Sequence, residues 1–471
     1  MTAVKSGNHI YVSGSGNTLA SITSDIADTT FIEKTGTSPD VYTVKGGVAR
    51  YLRIRNGGTL TIGDSADYSK NETLAFSNNV ANEIRFYVDA GGELLQYGDT
   101  TIDFFTGTQR IYYVYLYGKV TVLGNDTYKP VWQNYQRIYL YENQNNDTYT
   151  NDVWHFEKMI IGSAAVANYF AFYFYSLGKV RNHIFKDILF DKTYGKGLTM
   201  YAIRIPYPFR GMRNVTFENL DFNNVGNYPV YSTGGGTFKL KGCTFGTTTS
   251  WKMIIYGMGA ADGKNTLRTY GYDNEHDFGQ QFIYLEDCTF ENLNNKNCML
   301  VQYGPQVVCK DCTWEHDASD SIQAAYGGRV LMWSGNTFTT REAYDVDYDG
   351  MILWVYDLTL TVEDKLGNAL EDAVVLIEQS AGKEQFLFKT DSNGKLSNCH
   401  DIGCALLTWK YQYGNSKTTN MELWSDSTNS TYHKVTVFKE GYVPVEASYI
   451  MSAARSDTII LREISNLKAE I

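Results

Sequence analysis

The pattern best suited to holding an ion is Asp345-Val346-Asp347-Tyr348-Asp349-Gly350. Carboxylates at alternate positions, closed by a glycine that permits a sharp turn, can bring several oxygens onto one hard cation such as Ca2+. The bidentate acid that would complete such a loop is missing, because Tyr356 stands in its place with Asp357 next. Asp345, Asp347 and Asp349 therefore mark either a joint stiffened by Ca2+ or an acidic, solvated linker. No other cofactor is suggested.

Acid–base chemistry has a looser set of candidates. Asp187, Asp191, Glu218 and Asp221 lie close in sequence to Arg204, Arg210 and Arg213. Carboxylates with an Arg could abstract an α-proton or hydrolyse a glycosidic bond, with Asp187, Asp191, Asp221 and Arg213 carrying the reaction. The same charges serve equally as solvated edge residues that keep strands from pairing wrongly. Among the thiols, Cys309-Lys310-Asp311-Cys312 is a single C-x2-C pair with Cys288 and Cys298 near it. A four-thiolate zinc site needs two such pairs. Cys399 and Cys404 could join as a disulfide or remain buried thiols.

Two blocks are apolar on both faces: Ile111 to Tyr117 and Tyr169 to Tyr175. Strand side chains alternate, so one face fills a core and the other sets Tyr113, Tyr115, Tyr117, Tyr169, Tyr173 and Tyr175 outward. Such a stripe suits contact with another subunit or stacking on sugar rings.

The element that must position these groups is a repeated phrase. Cys243-Thr244-Phe245, Cys288-Thr289-Phe290, Cys312-Thr313-Trp314 and Asn336-Thr337-Phe338 recur at about two dozen residues, with Phe222 a similar step before Phe245. Phe245 and Phe290 are separated by nearly twice that step, which reads as two turns. A unit this short cannot bury its apolar face alone, so it must stack on its neighbours as a solenoid. The fixed offset from the aromatic assigns Cys243, Cys288 and Cys312 to a core ladder rather than to a metal. A second phrase, Gly followed by an apolar strand, recurs at Gly58, Gly92, Gly118, Gly178, Gly236 and Gly328 and is read as a corner with positive φ.

Composition agrees. The chain has 471 residues, 14% aromatic, with 37 Tyr and 42 Gly against 7 Pro. Tyr, Thr and the branched aliphatics suit pleated surfaces. A net charge of −11 without any Lys/Arg run argues against a partner held by a phosphate backbone, local basic patches aside. Seven cysteines are too few for a disulfide scaffold. Neither a secretory h-region near Met1 nor a run of about 20 apolar residues is present, so a signal peptide and a membrane helix are not expected. Residues 1–39, with Leu19, Ile22 and Ile26 at helical spacing, form a cap or attachment segment.

Short strands, Gly corners and the stacking phrase over residues 40–356 resemble the right-handed parallel β-helix of the pectin-lyase-like fold. The polygalacturonase-like catalytic set of that fold is not present in the chain. Over 357–471, Val362, Asp364, Gly367, Leu370, Ala373 and Val375, then Thr390, Asp391 and Gly394, then Lys439, Gly441 and Tyr442 follow the order of a carboxypeptidase-regulatory-like, transthyretin-like (Ig-like) β-sandwich. The expected fold is thus all-β, a solenoid followed by a sandwich. The resemblance implies a structural component of a virion (tail fibre, spike or capsid decoration) or another extracellular assembly, with an adhesive role. Its partners would be other subunits, as a homo-oligomer that could be a trimer, and host-surface glycans, with neither nucleic acid nor membrane. A polysaccharide depolymerase and a passive glycan-binding adhesin are the alternatives. Calcium at the Asp345–Asp349 loop makes EDTA lower the melting temperature of the wild type but not of Asp347→Ala. Identical melting of the wild type with and without EDTA removes the ion from this account.

Overall fold

The computed structural model describes residues 3–45, 51–77, 84–104, 112–135, 137–141, 153–162, 170–175, 183–191, 196–201, 215–222, 225, 228–233, 238–246, 252–256, 282–291, 298–302, 304–315, 322–325, 328–333, 335–338, 344–347, 351–378, 385–397, 406–412, 421–423, 433–450 and 455–464. The chain forms two compact units. One comprises 1–307, 312–328 and 337–345; the other comprises 308–311, 329–336 and 346–471. Among the described residues no helix is long and apolar enough to cross a membrane.

The first unit is a parallel β-helix, in which each coil contributes a strand to each of three sheets. In the first sheet, His9–Val12, Tyr51–Ile54, Ile84–Val88, Tyr112–Leu116, Arg137–Tyr141 and Phe170–Tyr175 run parallel and nearly in register. In the second, Thr59–Ile62, Glu93–Tyr97, Lys119–Leu123 and Trp154–Glu157 do the same. The third stacks Asp40–Lys45, Glu72–Ser77, Thr100–Asp103 and Val131–Gln133. Register makes columns of the inward residues: Leu60, Leu94, Val120 and Trp154 are successive partners and all are buried. A polar column member needs a partner inside; the Gln96 side chain donates to the Thr100 carbonyl and accepts from the Trp132 indole.

The repeated phrase becomes a ring stack. Phe190, Phe222, Phe245, Phe290 and Trp314 lie one above another, with centroids 4.7, 5.1, 4.5 and 4.2 Å apart. Phe245 and Phe290 are therefore on adjacent coils, and Thr244 pairs directly with Thr289. The long step that suggested two turns is one coil carrying an insertion; residues 257–281 of it lie outside the described residues. Spacing alone cannot separate an added coil from a long loop. Only strand pairing does.

The Gly phrase also has a different cause from a positive φ. A Cβ on Gly58 would stand 2.4 Å from the Val12 carbonyl oxygen, one on Gly92 2.7 Å from that of Ile54, and one on Gly118 2.1 Å from that of Asp89. The preceding coil's backbone occupies the space, so close approach demands glycine here. Gly178 and Gly236 lie outside the described residues.

At the start of the chain, Ala3–Ser6 folds back antiparallel on His9–Val12, and Ile32–Thr37 does so on Asp40–Lys45. Between them the helix Leu19–Ile26 buries Leu19 and Ile22, begins with a capping box between Thr18 and Ser21, and ends at Ala27 in left-handed conformation. His9–Val12 and Asn17–Thr18 already belong to the ladders, the latter pairing with Leu60 and Thr61, so the parallel sheets reach into the segment read from sequence as a cap. The antiparallel hairpins cover the backbone edges of the first coil.

In the second unit the strand Met351–Asp364 pairs antiparallel with Leu406–Gln412 and, further along, parallel with Arg455–Glu463. A separate antiparallel sheet runs in the order Leu396–Ser397, Gln385–Thr390, Val374–Glu378, His433–Phe438, Val445–Tyr449. Leu358, Leu360 and Val362 from the long strand share one buried cluster with Val375, Ile377, Val435 and Val437. The motif residues build the turns around it. The Asp364 carboxylate accepts from the Leu366 and Asn368 amides at 2.8 and 2.9 Å, and that of Asp391 from Asn393 and Lys395. The Thr390 hydroxyl takes the Ala373 amide and donates to the Leu370 carbonyl. Cys399 and Cys404 lie outside the described residues.

His433 is fully buried, and burial pushes its pKa down from 6.5 to about 4. The folded ring stays neutral in a range where the unfolded ring takes a proton. Stability from this group is thus complete above about pH 6.5 and is lost as pH falls from there toward 4, by up to roughly 3 kcal/mol. Denaturant titrations of the second unit between pH 7 and 4 should show this slope, and His433→Phe should flatten it. An unchanged slope in the variant assigns the acid sensitivity elsewhere.

Candidate functional site

The outer face of the first sheet carries the densest set of recognition side chains among the described residues. Its strands from Tyr51 to Tyr141 alternate: Leu52, Ile54, Phe86, Val88, Val114, Leu116, Ile138 and Leu140 point inward and are buried. The residues between them point outward, half-buried by one another. Register sorts these into columns. Tyr87, Tyr115, Tyr139 and Tyr173 are successive partners along one; Tyr51, Arg85, Tyr113 and Arg137 along the next.

Within the columns the rings pack face to face. Tyr87 and Tyr115 are stacked with centroids 4.9 Å apart at 9°, Tyr115 and Tyr139 at 5.1 Å and 7°, and Tyr117 and Tyr141 at 4.9 Å and 15°. Tyr173 closes the column edge-on to Tyr139 at 61°. At the first coil His9 lies flat on Tyr51, centroids 3.3 Å apart. Guanidinium groups thread the rings. Arg85 donates to the Tyr87 hydroxyl at 3.1 Å and Arg137 to that of Tyr139 at 3.0 Å. Arg53 lies over the Tyr87 ring at 5.2 Å and Arg55 over Tyr11 at 3.6 Å. The Arg53 Nε donates to both oxygens of Asp89, at 2.9 and 2.6 Å. Arg53, Arg55, Asn56, Tyr87, Asp89, Ala90 and Tyr117 line a shallow, open concavity of about 600 Å³. Burial pushes the Tyr117 and Tyr51 hydroxyls up, so they remain protonated donors; burial, then the Arg53 charge, holds His9 down and neutral.

The Tyr87, Tyr115 and Tyr139 ring faces are turned to one another, whereas stacking of sugar rings needs open aromatic faces. What the surface offers outward is ring edges, phenol hydroxyls and guanidinium N–H groups.

Of the tyrosines expected outward, Tyr113, Tyr115, Tyr117 and Tyr173 fall on this face; Tyr169 and the side chain of Tyr175 lie outside the described residues. Sequence reasoning missed Tyr51, Tyr87, Tyr139, Tyr141 and all the arginines. A signal was available: Arg85-Phe86-Tyr87 and Arg137-Ile138-Tyr139 share an R-x-Y spacing that puts Arg and Tyr on one face of a strand.

The carboxylate candidates go elsewhere. Asp187 sits at a corner that recurs coil after coil, with Lys158, Asp187, Asn219, Gly242 and Asp287 at φ 52°, 52°, 53°, 62° and 54°. Each of the first four donates its amide to the next coil, as in Asp187 to Glu218 O at 3.0 Å and Asn219 to Lys241 O at 2.8 Å. The Asn219 side-chain amide donates to the Asp187 carboxylate at 2.9 Å. Asp and Asn tolerate this left-handed conformation better than other non-Gly residues, which gives an Asp at this corner a conformational reason. Asp191 lies past the Leu189–Phe190 strand, and Asp221 bridges Leu189 and Thr244 through its backbone. Arg213 lies outside the described residues.

Cys243, Cys288 and Cys312 each follow the corner and are fully buried. The Cys243 thiol lies 3.5 Å from the Lys241 carbonyl and that of Cys288 3.4 Å from Leu240, and burial pushes Cys243 well up. They behave as small core residues. Asp345 and Asp347 belong to the strand Tyr344–Asp347; their side chains, and Asp349, lie outside the described residues. Among the described residues no group of three or more His, Cys, Asp or Glu could hold a metal ion.

Compared with known proteins, the chain matches no family model and no curated protein.

The corner role of Asp187 is testable. Asp187→Gly and Asp187→Asn should melt close to the wild type, whereas Asp187→Val should lose about 1–2 kcal/mol from the left-handed penalty. Equal stability of the Val and Asn variants removes the corner explanation.

Proposed function

We propose that this chain is a non-enzymatic structural component of an extracellular assembly, of the kind that includes virion tail fibres, spikes and capsid decorations. The β-helix is its rigid body, and the outer Tyr/Arg face of its first sheet is the contact surface. The observation that carries this reading is that face: rings and guanidiniums locked in register over consecutive coils, in a composition typical of the centres of protein interfaces. A preformed surface gives up little side-chain entropy on association, which favours a permanent contact. The C-terminal unit is read as a carboxypeptidase-regulatory-like, transthyretin-like module. Its motif residues Asp364, Thr390 and Asp391 hold turns around the core. The simplest assembly is a symmetric homo-oligomer, with a trimer as the first case to test.

Sedimentation of the full chain should report an oligomer, and Tyr115→Glu with Tyr139→Glu should return it to a monomer that still folds and melts lower than the wild type by the ring pairs it loses. A wild type that stays monomeric at high concentration overturns the contact reading. Release of reducing ends or unsaturated products from polysaccharide, lost in Asp191→Asn or Asp221→Asn, would overturn the non-enzymatic one.

A further inference from the structure

A face that binds its own counterpart gives a two-fold dimer, whereas a face that binds a different face gives a ring of three or more copies, or an open chain. A trimer therefore needs a second surface for the Tyr/Arg face to meet. The second sheet does not suit. Its outward residues Glu157, Lys186, Glu218, Lys241 and Glu286 are successive register partners, so the sign alternates along one column. Lys119 pairs with Glu93 at 2.6 Å, Lys186 with Glu218 at 3.7 Å and Lys241 with Glu286 at 3.0 Å. Charges paired along their own column belong to a solvated face, and charge is depleted from the centres of interfaces.

The third sheet differs over the same coils. Its outward column runs Thr101, Val131, Ile160 and Leu189 as successive partners, all partly exposed. It turns polar at the next coil, where Leu189 bridges to Asp221 and Asp221 to Thr244. The aromatic column of the first sheet ends at the same level. Tyr87, Tyr115, Tyr139 and Tyr173 belong to the coils that carry Thr101, Val131, Ile160 and Leu189, and the partner after Tyr173 is Thr199. Both columns rise by the same coil step of roughly 4.8 Å. Two copies lying parallel and side by side thus bring the tyrosine ring edges against Val131, Ile160 and Leu189, level to within one step. Rings packed on aliphatic side chains suit the centre of an interface. One position along the same strands stand Asp103 and Asp191, carboxylates at the rim for a face whose outward groups are hydrogen-bond donors.

We infer that the outer stripe of the third sheet, Thr101, Val131, Ile160 and Leu189, is the surface on which the tyrosine column of a second copy of this chain seats. The copies stand parallel in a ring, each using its first sheet toward one neighbour and its third sheet toward the other. The inference rests on reading the Tyr/Arg face as a subunit contact and names the surface that it meets.

Sedimentation of the full chain tests this. Ile160→Lys should keep the wild-type circular dichroism and sediment as a monomer, as Tyr115→Glu with Tyr139→Glu does. Each variant keeps one sound face. An equal mixture of the two should therefore form a species of twice the monomer mass and stop there, because both outer faces of that pair are disabled. A second readout does not depend on tolerance of the lysine. Tyr139→Cys and Ile160→Cys in one chain should, under mild oxidation, link copies into dimers, trimers and longer products on a non-reducing gel. Neither single variant nor the wild type should give that series. A wild-type dimer, an oligomer that survives Ile160→Lys, or a mixture that stays monomeric overturns this assignment and leaves the Tyr/Arg contact in place. Linkage by the double cysteine variant no greater than by the single ones does the same. A monomeric wild type overturns the contact reading, and this inference with it.

Discussion

The parallel hydrogen-bond ladder between coils is the constraint on which the rest of this structure depends. Each strand meets the same residue position of the coil before it at the fixed separation of paired strands. Every position therefore becomes a column, inward and outward alike. Inside, a column of apolar residues is a continuous core that no single coil could build. Outside, it is a line of like side chains held close enough to touch.

That geometry explains why aromatics stack in the core and on the surface alike. Phe190 to Trp314 in the core and Tyr87 to Tyr139 on the surface stack at similar separations because both inherit the coil step. Each pair contributes about 0.5–1.5 kcal/mol beyond burial. The outer stack therefore stabilises the solenoid as well as presenting a surface. It also changes what that surface can recognise, since stacking hides the ring faces and leaves hydroxyls and guanidiniums outward. The same step governs the corners, where a left-handed residue must recur and Asp, Asn or Gly fills it in most coils. A carboxylate there also meets a backbone requirement that the sequence alone does not reveal.

Much of the architecture was legible from the chain. The recurring Cys/Asn-Thr-aromatic phrase announced stacked coils, because a short unit with one apolar face has no other way to bury it. Leu19, Ile22 and Ile26 announced the helix of the first coil, and alternation in Ile111–Tyr117 announced which tyrosines face outward. The Gly phrase was read correctly in position and wrongly in cause. A carbonyl oxygen from the preceding coil crowds Gly118, and a neighbour in the next coil leaves no mark on local sequence.

What the sequence by itself determined is thus periodic and local: strand alternation, the helix, the turns at Asp364 and Asp391, and the solenoid class. Tertiary structure alone decided which strands are neighbours. It placed Phe245 against Phe290 across a long insertion, and Arg85 and Arg137 on either side of Tyr113. The physical reason is that pairing energy depends on register between coils, whereas loop length adds to it only slowly. Spacing along the chain therefore blurs where contact in space is sharp.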